Sequence, residues 1–126
     1  MISFEGFSME DNVPIYLQIN RFIKRGIVSG VIRDGEEVPS RRMLSALLGI
    51  NPNTVQKSYA MLEEEGLLHS RSGAKSCIRV TEKAVGKLKQ EILHDQVHAM
   101  VVSMKQTGIT LEEAKRLLTE LWEVEV

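Results

Sequence analysis

Val38-Pro-Ser-Arg-Arg-Met-Leu-Ser-Ala-Leu-Leu-Gly-Ile-Asn-Pro-Asn-Thr-Val-Gln-Lys-Ser-Tyr-Ala-Met-Leu62 carries the basic residues Arg41, Arg42 and Lys57 and no acid. Its spacing predicts a pair of capped helices in tandem. Ser40 stands where an N-cap hydroxyl can accept an orphan backbone N–H, and Leu44, Leu47 and Leu48 give the helix that follows an apolar face. Gly49 is free to take the left-handed conformation that ends it. Asn51 caps the next helix, with Pro52 at the first position, where a missing N–H costs nothing. There Val55, Ser58, Tyr59 and Leu62 recur at i, i+3, i+4, i+7, while Asn53, Gln56, Lys57 and Ala60 share the opposite side. That side is polar, small and free of acids, which suits a helix entering the major groove of double-stranded DNA.

Asn53 and Gln56 are amides of the type that pairs bidentately with adenine, so base contact is expected of them. Arg41, Arg42, Lys57, Arg71 and Lys75 are candidates for phosphate neutralisation. The backbone N–H groups exposed after Ser40 and Asn51 add anion-binding capacity without a charged side chain.

Working outward, residues 1–11 have no periodicity and read as a flexible N-terminal arm, with Phe4 and Phe7 available to pack on a partner surface. From Asn12 the pattern becomes helical, Ile15, Ile19, Phe22, Ile23 and Ile27 recurring on one side until Gly30. Gly30 to Val38 reads as a loop with a short strand before Pro39. Downstream, Glu63-Glu-Glu-Gly66 closes the second capped helix. Leu67 to Arg71, then Ser72-Gly-Ala-Lys75, then Ser76 to Val80 read as strand, tight turn, strand, which packed behind that helix makes a wing. Residues 12–80 thus form a winged helix-turn-helix, and the fold class is mostly α with a small β-hairpin.

Thr81 caps a long helix with Val85, Leu88, Ile92, Leu93, Val97, Met100, Val101 and Met104 as its stripe, and Gly108 stops it. Thr110-Leu-Glu-Glu113 is a capping box, with Ile109 as a staple against Ala114, opening a last helix that carries Leu111, Leu117, Leu118, Leu121 and Trp122. A two-helix hairpin over residues 81–126 cannot hide that much apolar surface alone. Pairing with a second copy is expected, through Leu88, Ile92, Val97, Met100, Met104, Leu117, Leu118, Leu121 and Trp122.

Length and charge narrow the function further. With 126 residues there is no room beside the helix-turn-helix for a large catalytic or effector domain. The formal net charge of -1 is unevenly spread, since residues 66–80 hold Arg71, Lys75 and Arg79 with no acid and the tail after Thr81 is mildly acidic. A single cysteine, Cys77, suits a reducing cytosol and is expected to be a small buried hydrophobe rather than a redox switch. The N-terminus lacks a signal-peptide pattern and no apolar run approaches the roughly 20 residues of a bilayer span, so the chain is expected to be cytoplasmic.

His94 and His98 lie at i, i+4 around Asp95, but no third histidine or cysteine joins them, so neither a metal nor a cofactor is expected. Met100 and Met104 are expected to pack, and Trp122 to anchor the tail interface. A small-molecule effector pocket at the dimer seam is left open. There is no Gly-rich phosphate loop and no nucleophile elbow, and Glu63, Glu64 and Glu65 read as a solvated helix end rather than an acid/base pair, so no enzyme is expected. The rival reading, a winged helix used only for protein interaction, is disfavoured by the acid-free face.

Pro14-Ile-Tyr-Leu-Gln-Ile19, the Gly30 to Gly35 loop, Val38-Pro-Ser-x-Arg-x-Leu44, Leu48-Gly-Ile-Asn-Pro-Asn-Thr-Val55, Tyr59-x-x-Leu-Glu-x-Glu-Gly66 and the wing glycine Gly73 together resemble the N-terminal winged helix of the GntR family of bacterial transcription regulators. The resemblance covers about residues 12–80. The tail looks like that of the YtrA-like subfamily, whose members lack a large effector domain and dimerise through that tail. The resemblance implies a dimeric repressor on a palindromic operator, often beside transporter genes. It carries DNA contacts onto Ser40 and Arg42, onto Asn51, Asn53, Thr54 and Gln56, and onto Ser72 and Gly73 in the wing. Where the family wing usually reads Gly-x-Gly-Thr and then an aromatic, this chain has Gly73-Ala-Lys75-Ser76-Cys77. Losing the second glycine alters how deeply the tip enters a minor groove, and Lys75 is expected to add a phosphate contact instead.

Overall fold

A computed structural model describes residues 1–70 and 75–124. In chain order it contains α1 (Ile15–Ser29), α2 (Arg41–Leu48), α3 (Pro52–Glu64), β1 (Leu68–Ser70), β2 (Ser76–Ile78), α4 (Glu82–Gln106) and α5 (Leu111–Glu123). It divides into two units, Met1–Leu88 and Lys89–Val126.

In the first unit α3 is the central element, with α1 and α2 packed against it and β1 following from it. Both helices of the central motif are capped as their sequence demands. The Ser40 hydroxyl accepts the Met43 N–H at 3.1 Å, and Asn51 Oδ1 accepts the Asn53 N–H at 2.8 Å. Gly49 closes α2 at φ 69°, where a side chain would be strained. Ile19 and Ile23 of α1, Leu44 of α2, and Val55, Tyr59 and Leu62 of α3 are fully buried, each such side chain gaining roughly 1.5–3 kcal/mol from leaving water.

Polar groups inside this core are partnered. The Asn20 amide of α1 and the Ser58 hydroxyl of α3 lie 2.6 Å apart. The Tyr59 hydroxyl donates to the Pro39 carbonyl at 2.7 Å, tying α3 to the segment that leads into α2. Burial pushes the Tyr59 phenol well above its ordinary range, against a smaller opposite pull from Arg41, so it stays a donor.

Two expectations need correction here. On α2, Leu47 is 65% exposed, and Ser45 takes the inward place beside Leu44. This eight-residue helix meets the body along a narrow strip facing α3, and Ser45 can enter because its hydroxyl donates to the Arg42 carbonyl at 2.9 Å. The N-terminal arm is docked rather than flexible. Ile2 and Phe4 are buried, and the Ile2 N–H donates to the Glu37 carbonyl at 2.9 Å. Phe4 stacks on Phe22 of α1 with ring centroids 4.9 Å apart, and Phe7 meets Phe22 edge-on at 5.4 Å, contacts that add about 0.5–1.5 kcal/mol each beyond area burial. Gln18 fastens the far end of the arm, accepting the Glu10 N–H at 2.8 Å and donating to the Glu10 and Val13 carbonyls.

The wing strands pair antiparallel in the register Leu68↔Ile78, His69↔Cys77, Ser70↔Ser76. The strand expected before Pro39 shrinks to a bridge between Glu37 and Cys77, supported by Ile78 N–H to Glu36 O at 2.8 Å and Val38 N–H to Ser76 O at 2.9 Å. Cys77 is half-buried.

Thr81 opens α4 by accepting the Ala84 N–H at 3.1 Å. Leu88, expected at a chain interface, is only 8% exposed and belongs to the first unit, so this chain already covers it. In the second unit Thr110 and Glu113 form the capping box that opens α5. Hydrogen bonds from the Thr110 backbone and then its hydroxyl hold the Glu113 carboxyl below the usual carboxylate range. No residue of α5 is buried. Leu117, Leu118 and Leu121 are about half exposed and Trp122 is 81% exposed. Val97 is exposed too, while Ile92, Met100 and Met104 are half-buried. Among the described residues no helix is long and apolar enough to cross a membrane.

Candidate nucleic-acid interface

The helical period splits α3 cleanly. Val55, Ser58, Tyr59 and Leu62 are buried, and Asn53, Gln56, Lys57 and Ala60 are exposed, with Thr54 half-buried at the start. Asn51, Asn53 and Gln56 thus stand on the open side of the helix, at its N-terminal half. Unpaired first-turn amides at the starts of α2 and α3 add partial positive charge to the same region. Among the described residues no cluster of three or more His, Cys, Asp or Glu is arranged to hold a metal ion.

The basic residues divide by what they already touch. Arg42 is exposed and has no ion pair among the described residues, leaving its guanidinium open to phosphate. Arg41 turns inward instead. Its Nε donates to Gln56 Oε1, it meets Glu63 Oε1 at 3.3 Å, and it lies over the Tyr59 ring at 5.3 Å. The structure therefore joins two residues that the sequence treated as independent, Arg41 for phosphate and Gln56 for base. Bidentate pairing with adenine uses both ends of an amide; Gln56 Oε1 has a second lone pair for the adenine amino group while it accepts from Arg41, and its NH2 group has no partner among the described residues. Lys57 lies over the Tyr16 ring of α1 at 4.1 Å. Lys75 is highly exposed and 3.9 Å from Glu37. Arg71, Ser72 and Gly73, expected to complete the wing contacts, lie outside the described residues.

Sequence spacing missed Glu63. Expected as part of a solvated helix end, it accepts from Arg41 of α2 and from the Ser70 hydroxyl of β1, while Ser70 is also 3.0 Å from the Ser76 hydroxyl of β2. One carboxylate thereby connects both motif helices to the wing. Arg41 is 22 positions away and Ser70 lies across the turn into the wing, and nothing local to Glu63-Glu-Glu65 singles it out.

Comparison with known proteins bears on this surface directly. The sequence profile of the family described as "Bacterial regulatory proteins, gntR family" matches residues 15–77, from the start of α1 into β2. The HTH-type transcriptional regulator YhcF of Bacillus subtilis is 32% identical over 104 residues, covering 82% of this chain and 86% of the relative. The HTH-type transcriptional repressor YtrA of Bacillus subtilis is 29% identical over 111 residues, covering 87% and 85%. A GntR family transcriptional regulator from Listeria monocytogenes superposes with a TM-score of 0.78 at 28% identity, covering 93% of this chain and 100% of that one. These relatives are named as transcription regulators and not as enzymes. The residues matched are those that build and orient α3, and this chain belongs to the gntR family of bacterial regulatory proteins, transcription regulators that bind DNA.

Proposed function

We propose that the chain is a homodimeric, cytoplasmic repressor of transcription that binds a palindromic operator. The recognition helix over residues 52–65 enters a major groove in each half-site, and the wing over residues 67–80 lies along the flanking backbone and minor groove. The observation that carries this reading is the division of α3 into a closed inner side and an open outer side that is free of acids from Asn53 to Ala60, beside Arg42, which has no ion pair among the described residues. Asn51, Asn53, Thr54 and Gln56 take the base-side roles, and Ser40, Arg42 and Lys57 take phosphates. Arg41 sets the orientation of Gln56, and Arg71, Ser72, Gly73 and Lys75 contribute from the wing.

Two further points support the rest of the proposal. YtrA, similar along most of its length, is named a repressor. In the tail, the open apolar residues of α4 and α5 supply a surface for a second copy, with Ile92, Val97, Met100, Met104, Leu117, Leu118, Leu121 and Trp122 in the seam and Leu88 outside it.

The test is selection of bound fragments from the source genome, followed by binding titrations on a selected site and on random duplex. Arg42→Ala weakens both DNAs and lowers the salt slope by about 1, whereas Gln56→Ala costs about 1–3 kcal/mol on the operator and relaxes preference at one base pair. Equal effects of both substitutions on both DNAs overturn these roles. Failure to shift any genomic fragment would overturn DNA recognition and leave the protein-interaction reading.

A further inference from the structure

His94 and His98 take no part in DNA recognition as described, and both are exposed on α4. They stand at i and i+4, so their side chains leave the same side of the helix. Their rings lie parallel to within 15°, with centroids 5.9 Å apart. Two histidines at this helical spacing can ligate a single transition-metal ion. Going from stacked rings to a shared ion needs only side-chain torsions of exposed groups, with no movement of the helix.

His94 has a further neighbour that matters to its chemistry. Its Nδ1 is 3.6 Å from Asp95 Oδ1, too long for a hydrogen bond but a contact that shortens readily between exposed side chains. A carboxylate on one imidazole nitrogen fixes the tautomer that leaves the other nitrogen as ligand, the arrangement that commonly backs a metal-bound histidine.

The geometry points to a binding site for a divalent transition-metal ion held by the imidazoles of His94 and His98, with Asp95 positioning His94. Two nitrogen donors select the zinc, nickel and copper class, since calcium and magnesium require oxygen ligands. Water fills the remaining coordination positions.

The site's place on α4 follows from helical spacing. His94 and His98 continue to Val101 and Lys105 in a row beside Leu93, Val97, Met100 and Met104. Where tails pair as proposed above, the ion sits at the rim of that seam, but the site itself rests on one chain and does not depend on pairing.

The test is calorimetric titration of the untagged full-length chain with nickel chloride and, separately, with zinc chloride. Wild type binds both ions, and His94→Gln and His98→Gln each weaken binding by at least the roughly tenfold cost of losing an outer-shell partner. The double substitution abolishes it. Because Cys77 faces His69 across the wing and offers a competing thiol–imidazole pair, Cys77→Ser is the control and leaves binding unchanged. Both histidines are exposed, so circular dichroism of the variants matches wild type. No binding by wild type, binding that survives the double substitution, or loss of binding in Cys77→Ser overturns the site. Operator titrations on the same samples keep this outcome separate from that of DNA recognition.

Discussion

Leu62 in α3 and Leu121 in α5 occupy amphipathic helices of equal length, 13 residues each. Leu62 is fully buried, and Leu121 is 50% exposed. The difference lies in the neighbours. The apolar side of α3 meets α1, α2 and β1, all supplied by the same chain, whereas α5 has no buried residue in a single copy. An apolar stripe states how much covering a helix needs, and only the surrounding fold decides whether one chain can provide it.

Substitution at the two leucines is the strongest way to break this comparison. Leu62→Ala removes about 2–5 kcal/mol from the first unit by opening a cavity in its core. Leu121→Ala changes that stability by no more than about 0.5 kcal/mol and shifts the concentration at which chains pair. Hydrogen exchange of the α3 amides reads the first effect and sedimentation the second. Equal losses of α3 protection would erase the distinction between the units.

A smaller effect is expected at Gly26, inside α1, where an added Cβ would run into Cγ1 and Cδ1 of the buried Ile32. Gly26→Ala should cost about 1–3 kcal/mol in urea unfolding through overpacking. A neutral result would show that the loop carrying Ile32 yields, and that the first unit is closed less tightly than its burial implies.

The smallest effect has the opposite sign. Gly86 lies in the interior of α4, is exposed, and has nothing within 4 Å of an added Cβ. Gly86→Ala should raise helix stability by about 0.5–1 kcal/mol, measured by thermal unfolding. A loss instead would mean that a neighbouring chain covers this side of α4, extending the seam toward the first unit.

Much of the first unit is legible in the sequence because its signals are local. Ser40 and Asn51 cap as their positions predict, and the 3.6-residue period of α3 names its four inward residues correctly. What escapes is set by packing between distant segments. The residues of the N-terminal arm have no period, and only their meeting with Phe22 reveals that Phe4 is core. On α2 apolarity alone points Leu47 inward, whereas the contact with α3 selects Ser45. The interface shows the same limit. Its exposed residues follow from periodicity, but the engagement of Gln56 by Arg41, and of both motif helices by Glu63, requires partners 15 and 22 positions apart to meet.

The buried contact between Asn20 and Ser58 bears on how narrowly the protein defines its own shape. Hydrophobic side chains accept many near-equivalent packings, so apolar contacts alone specify the position of one helix on another weakly. A slide of α1 along α3 would strand an amide and a hydroxyl in a dry interior, at about 1–3 kcal/mol for each unsatisfied group. The contact adds modestly to the native state and weighs heavily on every shifted one. Its consequence is a sharper distribution of positions for α3, the element on which any discrimination between base sequences has to rest.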